Sequence, residues 1–192
     1  CWRGSEGRWV DGSLAAASFL GGRRCRHFYL GAADGTKADF IHFRRCEQYF
    51  NASGGGKVTT VYDAIGAAQV AKASFAGMRL LHALDGQVAI WPFDPAPSSG
   101  AAVVEIYTAI AARAAGLPRG RSKLRDADAL DTALAILGSR PHAPLARYDD
   151  HSTDAILTAA WIRANARRAD LWHPTALTRE IARAEGWTFG IA

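Results

Sequence analysis

Two carboxylate-bearing motifs constrain this chain more than anything else in it: Val103-Val104-Glu105-Ile106-Tyr107 and Asp149-Asp150-His151-Ser152-Thr153-Asp154-Ala155. The first sets a glutamate inside an apolar, strand-like run. The second sets aspartates at the head of an apolar, helix-like run. A carboxylate whose neighbours demand burial must be paired, protonated or bound to a cation, because an unpaired desolvated charge costs several kcal/mol. If the two motifs meet in space, they form a cation site.

The runs around these motifs predict an α/β order. Lys57 to Tyr62 has the β-branched and aromatic content of a short strand, and Ala64 to Leu84 reads as an Ala-rich helix. Gln87 to Phe93 predicts a second strand, closed by Pro92 and the Asp94-to-Gly100 loop, and Ala102 to Tyr107 a third. A helix over Ala109 to Ala115 breaks at Gly116-Leu117-Pro118. The second half is helical: Asp126 to Leu137, Ser152 to Arg168 and Pro174 to Glu185, with Trp187-Thr188-Phe189 as a final packed segment. Residues 1 to 57 are irregular and rich in Gly and Arg, with apolar pieces at Leu14 to Leu20 and Phe40 to Phe43. No internal repeat or low-complexity linker interrupts the chain, so residues 1–192 are expected to form one domain.

Composition narrows the partners. With 49% hydrophobic and 21% charged residues, 192 residues can bury a sizeable core. Lys plus Arg exceed Asp plus Glu by 5, and the Arg clusters at 23–24, 44–45, 119–125 and 167–168 favour an anionic partner such as nucleic acid, although ordinary enzymes carry similar excesses. Cys1, Cys25 and Cys46 show no Cys-x-x-Cys spacing and leave an odd thiol, which points to a reducing cytoplasm rather than a disulfide framework. No membrane-length apolar run or signal segment is present. A start at Cys1 rather than Met has three readings: a processed nucleophile, a lipidated cysteine or missing upstream residues. The last is preferred, since Trp2 to Gly7 offers a nucleophile no partner.

On a helix entered near Asp150, Asp150 and Asp154 share a face and repel unless a cation or an arginine lies between them. Alternatively Asp149 or Asp150 only caps the helix, with Asp154 in its favoured first turn. Glu105 either points off a sheet edge or faces a site. Such oxygen donors suit Mg²⁺ or Mn²⁺ rather than zinc, and the six histidines form no clustered ligand motif. Two carboxylate-bound metals would activate water and stabilise the leaving oxygen in phosphodiester cleavage. Gly54-Gly55-Gly56-Lys57 resembles a phosphate loop, but Val58 replaces the required Ser or Thr and Asn51 the first Gly, so a turn is expected. No Gly-x-Ser-x-Gly elbow is present.

Phe43-Arg44-Arg45-Cys46-Glu47, Gly66-Ala67-Ala68-Gln69-Val70, Phe75-Ala76-Gly77-Met78, Ala89-Ile90-Trp91-Pro92-Phe93-Asp94, Val104-Glu105-Ile106-Tyr107 and Asp150 to Ala155, in this order, resemble an uncharacterised bacterial family of predicted nucleases with a ribonuclease H-like fold. The resemblance covers roughly residues 25 to 190. It implies a mixed sheet flanked by helices and a metal-dependent nuclease, with Glu105, Asp150 and Asp154 as catalytic metal ligands and Asp94 as a further metal candidate. Arg44 and Arg45 would contact phosphate or sit in a buried ion pair. The chain departs from the family in several places. The opening strand with its metal-binding Asp has no counterpart, so a fold lacking its first strand is expected. Thr108 stands where the family has Pro, Tyr62-Asp63 replaces Phe-Gln, and His27 to Gly31 replaces Pro-Phe-Trp-Gly. The sequence reading is therefore a cytoplasmic Mg²⁺- or Mn²⁺-dependent nuclease acting on nucleic acid. The alternative is a catalytically inactive nucleic-acid- or protein-binding module on the same fold; small-molecule phosphate chemistry is a third class the fold also hosts.

Overall fold

A computed structural model describes residues 43–53, 58–61, 63, 70–118 and 123–192. The apolar piece at Leu14 to Leu20, most of Phe40 to Phe43 and the Gly54-to-Lys57 turn lie outside the described residues. The elements in chain order are α1 (Arg45–Ala52), α2 (Val70–Leu84), β1 (Ala89–Ile90), β2 (Ala102–Val103), β3 (Glu105–Ile106), α3 (Thr108–Ala114), α4 (Ala127–Ile136), α5 (Asp150–Asn165), α6 (Ala169–Trp172), α7 (Arg179–Ala184) and β4 (Thr188–Phe189). The architecture is mixed, helices with short strands, roughly α/β. Among the described residues no helix is long and apolar enough to cross a membrane.

The chain divides into two compact units. The first comprises the described residues up to Glu105 together with Thr175–Trp187 and Ile191. Here β1 and β2 pair in parallel, Ala89 with Ala102 and Ile90 with Val103. Buried Leu81 of α2 and Ile90 of β1 pack with Leu84, Phe93 and Val103, the contact that anchors the helix to the strand pair. Gly186 takes φ 71°, and a Cβ there would meet the Phe93 ring at 3.0 Å, so both backbone and space call for glycine. Trp187 follows, 1% exposed, its indole N–H donating to the Ile191 carbonyl at 2.8 Å.

The second unit comprises Ile106–Pro174, Thr188–Gly190 and Ala192. Its spine is α5, which packs against α3 and α4. Leu157, Ala160 and Trp161 of α5 and Leu130, Ala133 and Leu134 of α4 are buried at helical spacing, and Ala111 and Ala112 of α3 are buried with them. The end of β3 pairs with β4, whose Phe189 meets the Trp161 ring edge-on. The ring of Phe189 also lies 4.7 Å from that of Trp172, so two tryptophans hold β4 by its phenylalanine.

Several elements differ from the sequence reading. The strand expected over Lys57 to Tyr62 is absent from residues 58–61, because amides there bond to side chains rather than to a neighbouring strand. Val58 N–H donates to Asn51 Oδ1 at 3.0 Å and Val61 N–H to Glu47 Oε1 at 3.1 Å. The strand expected over Gln87 to Phe93 shrinks to Ala89–Ile90, since Asp94 turns back on it: Asp94 N–H donates to the Ile90 carbonyl and Ile90 N–H to Asp94 Oδ2, both at 2.9 Å. The run from Ala102 to Tyr107 splits at Val104 into two strands with different partners. The last expected helix covers only Arg179–Ala184, capped by Thr178, with the short α6 before it. The start expected for α2, residues 64–69, lies outside the described residues.

Candidate functional site

In the first unit the charged centre is built on Arg44. It is the N-cap of α1, and Glu47, three residues on, reaches back to accept the Arg44 backbone N–H at 2.8 Å and its Nε–H at 3.0 Å. The other side of the guanidinium donates to Glu105 as a fork, Nη2 to Oε1 at 2.5 Å and Nη1 to Oε2 at 2.9 Å. Nη1 also reaches the Glu185 carbonyl at 3.3 Å, while Arg45 N–H donates to the Glu185 carboxylate at 2.6 Å. Arg44 is only 3% exposed. Burial disfavours its charge, but the hydrogen bond and the charge of Glu105 outweigh burial and hold the guanidinium above its usual range. The glutamate inside the apolar run is therefore paired, and its partner is an arginine.

In the second unit the centre is the N-terminus of α5. Asp149 caps it: Ser152 N–H donates to Asp149 Oδ1 at 2.9 Å, and Ser152 Oγ in turn accepts the Asp149 N–H at 3.3 Å. The bonds from Ser152 hold the Asp149 carboxyl below its usual range. Asp150, the first helical residue, faces two cations, Lys123 Nζ 2.6 Å from Oδ2 and Arg125 Nη1 2.5 Å from Oδ1. Bonding to Lys123 and then Arg125 keeps the Asp150 carboxyl low. One turn on, Asp154 goes the other way. Burial raises it and the charge of Asp150 adds to the rise, against a hydrogen bond from Thr108 Oγ1 to Asp154 Oδ2 at 3.3 Å. Thr108 thus touches a candidate acid.

The candidate residues fall in both units. Arg44, Arg45, Asp94 and Glu105 belong to the first, Asp150 and Asp154 to the second. Arg44 forms a buried ion pair with Glu47 and a part-buried one with Glu105, while the side chain of exposed Arg45 lies near Gln48. Asp94 closes the turn after β1. Two arrangements went unread in the sequence. Lys123 and Arg125 were visible only as part of an Arg-rich stretch, and the alternation Lys-Leu-Arg was the signal that could have singled them out. The other arrangement is a chain of contacts through His142: Nδ1 lies 2.6 Å from Asp131 Oδ1 and Nε2 lies 2.8 Å from the Tyr148 hydroxyl. A proton on Nδ1 satisfies both contacts, and the His142 bond holds Asp131 below its usual range.

Among the described residues, no three His, Cys, Asp or Glu side chains gather as a set able to hold a metal ion. Mg²⁺ requires less than a full protein cage, because it is commonly held by one or two carboxylates plus substrate phosphates and water. Asp150 and Asp154, one turn apart on α5, fit that donor chemistry. Comparison with family models, curated proteins and solved structures finds no match for this chain.

Proposed function

We propose that this chain is a Mg²⁺- or Mn²⁺-dependent nuclease of ribonuclease H-like type, with Asp150 and Asp154 as the carboxylates that hold the cation. The observation carrying this reading is that two like charges share one helix face and that the second, Asp154, is held above its usual range by burial and by the first. The ionised Asp154 costs stability by itself, whereas Asp150 is already paired with Lys123 and Arg125, and a divalent cation or substrate group beside Asp154 would offset that cost. A bound Mg²⁺ would supply charge for the attacking water and the leaving oxygen of a phosphodiester. Asp154 would orient that cation, with its own oxygen fixed by Thr108. Glu105, tied to Arg44 by both oxygens, serves the fold of the first unit in this reading.

A second reading, a binding module without cleavage, is favoured by that same pairing of Glu105. Both are tested by incubating labelled single-stranded and duplex DNA and RNA with Mg²⁺ or Mn²⁺. Cleavage by the wild type that falls at least about 100-fold in Asp154→Asn supports the nuclease. Metal-independent binding without cleavage selects the binding module.

A further inference from the structure

We infer that Lys123 and Arg125 form a phosphate clamp for a nucleic-acid strand, held ready on Asp150 at the head of α5. This inference rests on the reading of the chain as a protein that acts on or binds nucleic acid, and it moves the substrate contact from Arg44 and Arg45 to a different pair of residues.

The clamp follows from local structure. Residues 123–125 run without helical turns, and Leu124 is 5% exposed. Leu124 is buried while the side chains of Lys123 and Arg125 on either side of it are largely exposed, so both cations lie on the solvent side of the chain. Both cations then meet one carboxylate, and the trio carries a net charge of about +1. Their side chains remain 66% and 52% exposed, so each keeps donors turned toward solvent while Asp150 limits where its head can go. Each cation is held by a single contact of 2.5–2.6 Å to Asp150, a part-exposed pairing that water or another anion replaces at little cost. Arg147, 84% exposed, lies 3.9 Å from Asp149 and offsets that carboxylate's charge at the same helix end. Arg44 offers no such donor surface, since it is buried between Glu47 and Glu105.

A phosphodiester strand suits this surface better than an acidic peptide. A guanidinium and an ammonium fit phosphate and carboxylate oxygens alike, so the choice falls to the neighbouring acids. Asp150 and Asp154 lie beside them, where the phosphates of the same strand could share a divalent cation.

The test is metal-free binding of a fluorescein-labelled oligothymidylate, by anisotropy in EDTA across about 50–200 mM salt. Loss of two phosphate contacts lowers the slope of log affinity against log salt by about 1.4 for a single strand, which amounts to roughly a sevenfold smaller loss of affinity over that range. Lys123→Gln/Arg125→Gln should show this change. Arg79→Gln/Arg183→Gln, which removes the same charge from exposed positions of the first unit, should keep the wild-type slope. Asp150→Asn, which releases the two cations, should bind more tightly. Equal slopes in the two double variants, weaker binding by Asp150→Asn, or competition by polyglutamate as strong per charge as by unlabelled oligothymidylate would each overturn the clamp. Melting curves and circular dichroism confirm that every variant is folded. The slope is read in EDTA and cleavage in the separate Mg²⁺ or Mn²⁺ assay, so absent cleavage with a reduced slope sinks the nuclease and leaves the clamp, whereas cleavage with an unchanged slope does the reverse.

Discussion

The two units solve the same problem, a carboxylate that needs a counter-charge, in opposite ways. In the first, Glu105 receives a two-bond fork from an arginine that is itself buried and tied to Glu47. In the second, Asp150 is balanced by two long side chains that remain more than half exposed. Removing one member of a buried pair strands a charge in low dielectric, whereas water replaces a lost surface partner at little cost. The first arrangement therefore serves to fix chain segments in place, and the second leaves its charges available to a ligand.

The largest effect that would break this comparison is at Arg44. Arg44→Met should destabilise the protein by about 3–5 kcal/mol in urea unfolding, because Glu105 and Glu47 lose their shared cation. Adding Glu105→Leu to that variant should restore part of the loss, and a double variant worse than the single would show that the pair is not the source of the cost. Next comes the helix cap: Asp149→Ala should lower Tm by about 2–4 °C. The Asp149 carboxyl is held low, so its contribution is present above the ordinary aspartate value, near about pH 3.9, and is lost as pH falls through its folded value. The difference in Tm between Asp149→Ala and wild type should therefore close in acid.

Asp154 should behave with the opposite sign. Its raised carboxyl makes the ionised form a burden on the fold, absent in acid and growing as pH rises from the ordinary aspartate value through the raised one. Asp154→Asn should raise Tm by roughly 1–2 °C at about pH 7 and by nothing below about pH 3.9, with differential scanning fluorimetry over a pH series as the measurement. A lower Tm at neutral pH would show that the carboxylate is a structural acceptor for Thr108. The smallest effect belongs to Lys123→Gln/Arg125→Gln, whose Tm should stay within about 1 °C of wild type, as for exposed pairs generally.

How far the sequence disclosed this follows from the range of each interaction. The start of α5 was legible because Asp149 and Ser152 are three residues apart and cap each other, and α4 because Asp126 accepts the Ala129 N–H while Gly138 follows its end. The need for a partner at Glu105 was legible from its apolar neighbours, but not the partner itself, which lies 61 residues away in the chain. The same holds for Lys123 and Arg125 on Asp150: periodicity reports which face a side chain takes, not what meets that face. The strand expected at residues 58–61 failed for a related reason, since Asn51 and Glu47 capture amides that β propensity assigns to a neighbouring strand.

The first unit is discontinuous: Thr175–Trp187 joins residues that end at Glu105, with the second unit's Ile106–Pro174 between them. On a ribosome adding about 5–20 residues per second, the chain up to Glu105 would wait several seconds for Glu185 and Trp187 to be made. During that interval Arg44 lacks its contact with the Glu185 carbonyl, and Tyr49 lacks the Trp187 ring beside it. The second unit waits as well, because β4 and the Phe189 ring that meets Trp161 and Trp172 are made after Trp187. Translation order thus leaves both units unfinished until the last few residues of this sequence are made.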